Sequence, residues 1–233
     1  IYMGDWSSDV CSSDLYPSGF RAEAIAPVQN KVGAFLANPI LRTILTQPRS
    51  SFDLRSVMDE GKILLVNLAK GKLGEDTAAL LGALLVSHIG LAALSRADVR
   101  EDERPDFFAY LDEFQSFTTL SLATMLSELR KYRVGLVLAH QYLSQIDPQV
   151  RDAILGNVGT VISFRLGPSD ADVIAQEFYP EVSALDLMNL PNREVYLKLM
   201  VGGVVSRPFG GETIRPLDAS TAPSSTSACI HAS

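Results

Sequence analysis

Residues 107–114, FFAYLDEF, constrain the fold most strongly, because a short apolar run ends there in two adjacent acids. A run of this length, bounded by a proline and by polar residues, predicts a buried strand. Asp112 and Glu113 then lie at its C-terminal end, where open α/β sheets bind ligands. One carboxylate can hold Mg²⁺ through water and the other can activate a water, as in a Walker B strand. The residues equally fit a strand followed by an acidic helix N-cap.

The composition indicates a globular chain with a sizeable core, since 47% of its 233 residues are hydrophobic and 20% are charged. A net charge of -7 argues against a protein that coats nucleic acid with its whole surface, although a local basic channel stays open. Cys11 and Cys229 lie near opposite ends and imply no disulfide framework. The apolar stretch at 78–94 is shorter than the roughly 20 residues of a membrane span and predicts a core helix.

Both ends of the sequence are expected to lie outside the folded core. Residues 5–15, DWSSDVCSSDL, look like a translated sequencing adaptor, so we expect a fusion scar on a fragment of a longer reading frame. Residues 218–233 are rich in Ser, Thr and Ala and predict a disordered tail. The predicted organisation is therefore an adaptor-like artefact at 1–15, a helical edge segment at 16–50, a core at 51–217 and a tail at 218–233.

Strand patterns alternate with helix patterns along the core. Strands are predicted at 62–68, 107–111, 135–139 and 160–166. Helices are predicted at 22–45 (one or two), 51–58, 74–95, 120–132, 149–158 and 169–178, with Ser169 and Asp170 capping the last. Residues 194–200 and 204–209 predict a hairpin around Gly202-Gly203. This alternation predicts an α/β fold, with a mostly parallel sheet, flanking helices and an antiparallel edge hairpin.

A phosphate-binding loop of the GxxxxGK[ST] type is missing from the sequence. The nearest approach is AKGKLG at 69–74, which lacks the first glycine and has Leu73 where Ser or Thr should follow Lys72. We therefore reject it as a phosphate loop. Lys70 and Lys72 remain able to touch a phosphate backbone as point charges, although a solvated loop is the simpler interpretation.

An ordered set of residues follows the acidic strand. Residues 128–133, ELRKYR, end a predicted helix, although basic residues there are also ordinary partners of the helix dipole. An apolar strand comes next, and His140 and Gln141 follow it. Because this strand is expected to neighbour the strand of Asp112, the Gln141 amide would reach a γ-phosphate or the attacking water.

Four segments of the chain together resemble a known family. They are YLDEFQSF, SELRKYRVGLVLAHQYLSQI, VRDAILGNVGTVISFRLGPSDADVIAQEF and LPNREVYLKLMVGGVVSRPF. They are similar to the C-terminal part of the TraG/TraD-type coupling ATPases of type IV secretion, within the HerA/FtsK group of RecA-like motors. The resemblance covers residues 52–214 approximately. It implies the C-terminal part of a RecA-like P-loop NTPase core whose first βα unit, with its Walker A loop, is missing.

The resemblance also implies roles for single residues. Asp112 and Glu113 match the Walker B pair, with Asp112 holding Mg²⁺ through water and Glu113 acting as the catalytic base. Gln141 matches the sensor glutamine. Arg130 matches the arginine finger, which acts on ATP held by the neighbouring subunit. Arg165 is a weaker second candidate for this contact with the nucleotide. The implied cofactors are ATP and Mg²⁺.

The partners and location expected for the parent protein follow from the same resemblance. They are a homo-hexameric ring with DNA in its central pore, a type IV secretion channel or relaxase complex, and a cytoplasmic location with an inner-membrane anchor in a missing N-terminal part. Without a Walker A loop, the fragment alone is not expected to hydrolyse ATP. Two alternatives stay open at this point: a DNA-processing translocase of the HerA type, and a non-hydrolysing assembly module of the same fold.

Overall fold

The structure is a computed structural model that describes residues 26, 33, 36–48, 50–117 and 125–214. The adaptor-like segment, the tail, both cysteines, residues 118–124 and most of the segment at 16–35 lie outside the described residues. The chain divides into two compact units, one formed by residues 1–51 with 69–78 and the other by residues 52–68 with 79–233.

Helices and strands alternate along much of the described chain. The helices that lie wholly within the described residues are α1 Pro39–Leu45, α2 Leu54–Asp59, α3 Lys70–Leu73, α4 Glu75–Ser95, α5 Pro148–Asn157, α6 Pro168–Phe178 and α7 Ala184–Met188. Residues 125–128, in the helix predicted at 120–132, are also helical. The strands are β1 Phe107–Leu111, β2 Val134–Leu138, β3 Val161–Ser163, β4 Glu194–Lys198, β5 Met200–Val201, β6 Val204–Val205 and β7 Phe209–Glu212. Single 3-10 turns occur at Arg96–Asp98, Glu101–Glu103, Phe114–Ser116, Leu129–Tyr132 and Leu143–Gln145.

Asn38 organises the described part of the first unit. Its side-chain oxygen accepts from the backbone N–H groups of Ile40 and Leu41, at 2.9 and 3.3 Å, and so caps the start of α1. Its Nδ2 donates to the hydroxyl of buried Thr77 at 2.9 Å. Pro39 occupies the first turn of α1, where its missing N–H costs no helical hydrogen bond. The helix predicted near the end of 22–45 is therefore confirmed over α1.

The second unit contains one parallel and two antiparallel sheets. Strands β1 and β2 are parallel and pair in register from Phe107–Val134 to Leu111–Leu138, so their C-terminal ends meet at one edge. Strand β4 lies between β3 and β7 and is antiparallel to both. Strands β5 and β6 form the predicted hairpin, whose turn places Gly202 and Gly203 at φ +58° and +83°. A two-residue turn of this hand favours glycine at both positions. The predicted α/β class is confirmed, but the expectation of a mostly parallel sheet is not met among the described strands, where only β1 and β2 pair in parallel.

The strand predicted at 62–68 is wrong. These residues carry no strand assignment, and Ile63 and Leu65 are 80% and 60% exposed. A run of β-forming residues becomes a strand only when a neighbour takes up its backbone hydrogen bonds, and among the described strands β1 pairs only with β2. The strand predicted at 160–166 is likewise shortened, to Val161–Ser163.

The capping of the helix at 168–178 also differs from the prediction. Helix α6 begins at Pro168, after Gly167, and has no side-chain cap. Asp170 is buried instead, and its Oδ2 accepts from the backbone N–H of Leu143 at 3.0 Å. A carboxylate anywhere in the first turn of a helix interacts favourably with the helix dipole. The local sequence therefore does not distinguish a capping side chain from one that makes a tertiary contact.

Helix α4 contributes to two hydrophobic cores. Val86 packs with Phe114 and residues of α5–α7, whereas Ile89 and Ala93 pack with residues of α2, β1 and β2. By length and composition, Glu75–Asp98 is also the one helical stretch among the described residues that could cross a membrane, with mean hydropathy 1.9. Only part of this helix is buried as the expected core helix would be, since Leu91 and Leu94 are 62% and 42% exposed.

Two glycines let neighbouring side chains approach α4 closely. A Cβ at Gly82 would lie 2.1 Å from the ring of Phe117, and one at Gly90 would lie 2.0 Å from the sulfur of Met125. Both distances are far below van der Waals contact. These positions in an otherwise apolar helix therefore require glycine for packing.

Arg96 lies at the centre of a buried polar network that the sequence does not predict. Residues 96–105 are mostly charged, yet the Arg96 side chain is 0% exposed. Its guanidinium donates to the carbonyls of Tyr132 and Pro105, at 2.8 and 2.6 Å, and its Nε lies 2.9 Å from Asp59. Asp59 also pairs with Arg55. The network joins the end of α2, the segment before β1 and the turn before β2.

Candidate active site

The two acids lie directly after β1, at the edge where the parallel strands end. Asp112 is exposed and Glu113 is half-buried. Glu113 has left-handed backbone angles, φ 51° and ψ 41°, and its N–H donates to Asp112 Oδ1 at 3.0 Å. The N–H of buried Phe114 donates to the carbonyl of Ala139 at 3.2 Å, which ties this turn to the end of β2. The acids therefore sit on a turn that is fastened to both strands.

The Glu113 carboxylate is held by two glutamine amides. Gln141, three residues after β2, donates from Nε2 to Oε1, and Gln115 donates from Nε2 to Oε2 at 2.5 Å. The same Gln115 nitrogen lies 3.4 Å from Oε1 of Gln145, in the next 3-10 turn. The expectation that Gln141 follows the strand next to that of Asp112 is confirmed. The catalytic roles of these residues stay predictions.

His140 lies beside this carboxylate. Its ring meets that of Phe114 edge to face, with ring centroids 5.3 Å apart. Burial lowers the pKa of His140, and the negative charges of Asp170 and Glu113 oppose that shift without reversing it. The neutral form is therefore favoured near pH 7. Within the described ranges, no group of three or more His, Cys, Asp or Glu residues could hold a metal ion alone.

Arg130 does not join the acids within one chain. It lies in the turn Leu129–Tyr132, just before β2 begins, whereas Asp112 follows the end of β1. Because the two strands are parallel and five residues long, they separate these positions by about 17 Å. The Arg130 side chain is exposed and, among the described residues, has no hydrogen-bond or ion-pair partner. This placement leaves its guanidinium open to another molecule.

The backbone of the Arg130 turn is held in place by two other arginines. Arg96 donates to the carbonyl of Tyr132 at 2.8 Å, and Arg104 donates to the carbonyl of Lys131. The Arg104 guanidinium also lies over the Tyr132 ring, 5.3 Å from its centroid. These contacts orient an exposed guanidinium on a rigid support.

Arg165 lies outside the sheets, two residues after β3. It donates to the side chain of Asn192 at 3.3 Å. Among the described residues it makes no contact with Asp112, Glu113 or Gln141. The structure thus brings together both acids and Gln141, and leaves Arg130 and Arg165 apart from them.

Sequence reasoning missed Gln115 and Gln145 as neighbours of the site. Gln115 served only as a polar marker for the end of the apolar run. Its position two residues after the acid was the available signal, because a tight turn returns such a side chain toward the carboxylate. No comparable local signal exists for Gln145, whose contact with Gln115 spans 30 residues.

The backbone at Glu113 leads to a stability prediction for this chain. A non-glycine residue in the left-handed region is strained by about 1 kcal/mol relative to glycine. Glu113→Gly and Glu113→Ala both remove the carboxylate, so their difference isolates the backbone contribution. We expect the glycine variant to be more stable by about 1 kcal/mol in urea unfolding.

The matched control for this comparison is Asp112, which lies outside the left-handed region. Asp112→Gly is expected to be no more stable than Asp112→Ala, because glycine there adds only unfolded-state entropy. Equal free energies of unfolding for Glu113→Gly and Glu113→Ala would contradict backbone strain at Glu113.

One family model matches the chain. Residues 106–178 match the model described as the TraM recognition site of TraD and TraG. This range contains both acids, Gln115, Arg130 and Gln141. A sequence search of curated proteins finds no match to the chain.

Solved structures of a plasmid coupling protein have a similar fold. The chain superposes on TrwB bound to the ATP analogue ADPNP with a TM-score of 0.69 and 17% identity, over 89% of this chain and 53% of that one. The unbound bacterial conjugative coupling protein TrwBΔN70 gives a TM-score of 0.67 at 16% identity, over 89% of this chain and 53% of that one. TrwB in complex with ADP and Mg²⁺ gives a TM-score of 0.66 at 17% identity, over 84% of this chain and 50% of that one. The chain thus spans about half the length of TrwB and shares its fold over that part.

Proposed function

Because the chain belongs, over residues 106–178, to the TraG/TraD-type coupling proteins, we propose that it forms part of an ATP-driven motor that moves DNA in conjugative transfer. The observation that carries this proposal is the contact between Gln141 and Glu113 at the C-terminal ends of two neighbouring parallel strands. Ligands of open α/β sheets bind at this edge, and a base beside a polar amide suits the activation of water next to a triphosphate.

In the proposed mechanism, Glu113 accepts a proton from the attacking water. The amide of Gln141 orients the Glu113 carboxylate in the state without nucleotide, and is close enough to exchange this contact for one with the γ-phosphate or the water. General-base catalysis of this kind contributes about a hundredfold to ten-thousandfold in rate.

Asp112 suits a Mg²⁺ ion held mainly by water and phosphates. It is exposed, its Oδ1 accepts from the N–H of Glu113, and its Oδ2 accepts no hydrogen bond among the described residues. Mg²⁺ keeps several waters and commonly uses one or two protein carboxylates, so a single aspartate fits this ion better than a full protein cage would. When bound, the ion would neutralise charge on the β- and γ-phosphates.

Arg130 is proposed to act on the nucleotide of a neighbouring subunit in a homo-hexameric ring around DNA. Its distance from the acids of its own chain and its exposed guanidinium, which has no partner in the part of the chain that the structure describes, support action in trans. Arginine fingers supplied by a second protein raise turnover about 10³- to 10⁵-fold in other systems. Arg165 is kept as a weaker candidate for nucleotide contact.

The proposed partners are a relaxosome component and a type IV secretion channel. The family model is named for recognition of TraM by TraD and TraG, and the TrwB structures are those of a conjugative coupling protein. The motor would work at the cytoplasmic side of the inner membrane, anchored by a region outside this chain.

A subunit-mixing experiment in the full-length protein tests the proposal. Arg130→Ala and Glu113→Gln subunits are each expected to be inactive, because every interface lacks one group. In a random mixture, about a quarter of the head-to-tail interfaces regain both groups, so DNA-stimulated ATP hydrolysis should return. The measurement is phosphate release with Mg²⁺ and DNA.

Mixing each variant with itself serves as the control. Absence of ATP hydrolysis by the wild-type protein would overturn the motor, and would favour an assembly module. If the mixture stays inactive although the wild-type protein hydrolyses ATP, Arg130 does not act as an arginine finger on the neighbouring subunit.

A further inference from the structure

We propose that Gln115 is a positioning residue for Glu113, which completes a two-sided clamp on the carboxylate and links it to the loop that follows β2. The catalytic consequence of this clamp rests on the proposed function. The clamp itself is a property of this chain and can be tested on it.

The first argument is the geometry of the carboxylate. Each of its two oxygens accepts from a different glutamine: Oε1 from Gln141 and Oε2 from Gln115. One donor leaves a carboxylate able to rotate about its terminal bond, which has a broad energy profile. Two donors on opposite oxygens restrict that rotation, so Gln141 alone does not define the orientation of Glu113.

The second argument is how Gln115 is supported. It belongs to the 3-10 turn Phe114–Ser116, whose first residue, Phe114, is 1% exposed and packs in the larger core. Gln115 itself is half-buried. A side chain on a turn anchored in this way loses little further freedom when it donates to Glu113, so its hydrogen bond is pre-organised.

The third argument is the connection to the loop after β2. The Gln115 amide lies 3.4 Å from Gln145 in the turn Leu143–Gln145, and the first residue of that turn is held by the buried Asp170 of α6. The end of β1 and the loop after β2 are therefore linked twice, through Gln141–Glu113 and through Gln115–Gln145. A shift of this loop would carry the carboxylate with it.

Side-chain amide NMR of this chain tests the clamp without any activity measurement. The NH₂ signals of Gln115 and Gln141 are assigned by their loss in Gln115→Leu and Gln141→Leu. In Glu113→Ala, both pairs are expected to shift, because each loses its acceptor. The signal of exposed Gln149, at the start of α5, should stay in place as the control. An unshifted Gln115 pair in Glu113→Ala overturns the inference.

Steady-state kinetics of the full-length protein test the catalytic consequence. Gln115→Leu keeps a similar side-chain volume and is expected to lower kcat for ATP about tenfold to a hundredfold, with KM little changed, because it misplaces the base and leaves nucleotide binding intact. Gln115→Asn retains the amide on a shorter stem and should recover part of that loss. A lower kcat without recovery by asparagine would indicate a packing effect and overturn the positioning role.

The two proposals fail in different ways. A wild-type kcat in Gln115→Leu would overturn the positioning role of Gln115 and would leave the proposed motor function unaffected. Absence of ATP hydrolysis by the wild-type protein would overturn the motor, and the amide signals would still decide whether the clamp exists.

Discussion

Glu113→Gln in the full-length protein is expected to reduce ATP turnover by at least about a hundredfold while ATP binding is retained. Glutamine has nearly the volume of glutamate, and its carbonyl oxygen can still accept from one of the two neighbouring amides. It cannot take a proton from water, so the substitution removes the base and disturbs little else. Turnover is measured by phosphate release and binding by a fluorescent ATP analogue.

Glu181→Gln is the matched control for this variant. Glu181 is exposed and lies between α6 and α7, away from the strand ends, so the same chemical change there should leave turnover unaltered. Normal turnover in Glu113→Gln would refute the assignment of the base. Loss of both turnover and ATP binding would mean that Glu113 holds the nucleotide or the fold.

Arg96→Met is expected to lower the free energy of unfolding of this chain by about 2–4 kcal/mol, because two backbone carbonyls each lose a hydrogen bond from a charged donor. The Arg96 side chain is fully buried, and its loss leaves the carbonyls of Tyr132 and Pro105 without their donor. It also leaves Asp59 with Arg55 as its remaining basic partner. Urea unfolding followed by circular dichroism measures the change.

Arg100→Met controls for the removal of an arginine. Arg100 is 75% exposed and pairs with Asp102 at 3.0 Å, a surface contact worth less than about 1 kcal/mol. Arg96→Lys keeps the charge but lacks the planar guanidinium that reaches two carbonyls, so its free energy of unfolding should lie between those of wild type and Arg96→Met. If Arg96→Met does not fold, Arg96→Lys provides the test instead. Equal stability of Arg96→Met and Arg100→Met would contradict the role of the network.

The candidate site was predictable because its signals are local and ordered. An apolar run ending in Asp112 and Glu113, followed by a second apolar run and then Gln141, predicts two neighbouring strands whose ends carry these groups. The parallel pairing of β1 with β2 and the contact between Gln141 and Glu113 agree with that order. The Gly202-Gly203 turn and most of α4 are predictable for the same reason, because turn chemistry and helix length act over a few residues.

Local sequence patterns fail to predict three features of the structure: the burial of Arg96, the contacts of Gln115 and the absence of a strand at 62–68. A charged residue at the start of a short turn looks exposed from its neighbours, and contacts with residues far along the chain, Asp59 and Tyr132 among them, bury Arg96. A β-rich run looks like a strand, and only a partner strand makes it one.

The sequence by itself determined which segments become helices, strands and turns near the site, and which end of the sheet carries the acids. Those properties depend on side-chain periodicity, caps and glycines within about one turn of structure. The tertiary structure alone decided that both oxygens of Glu113 accept from glutamines and that Arg96 is buried. Each of these depends on which distant groups satisfy a polar atom, and that partner is chosen only when the chain packs.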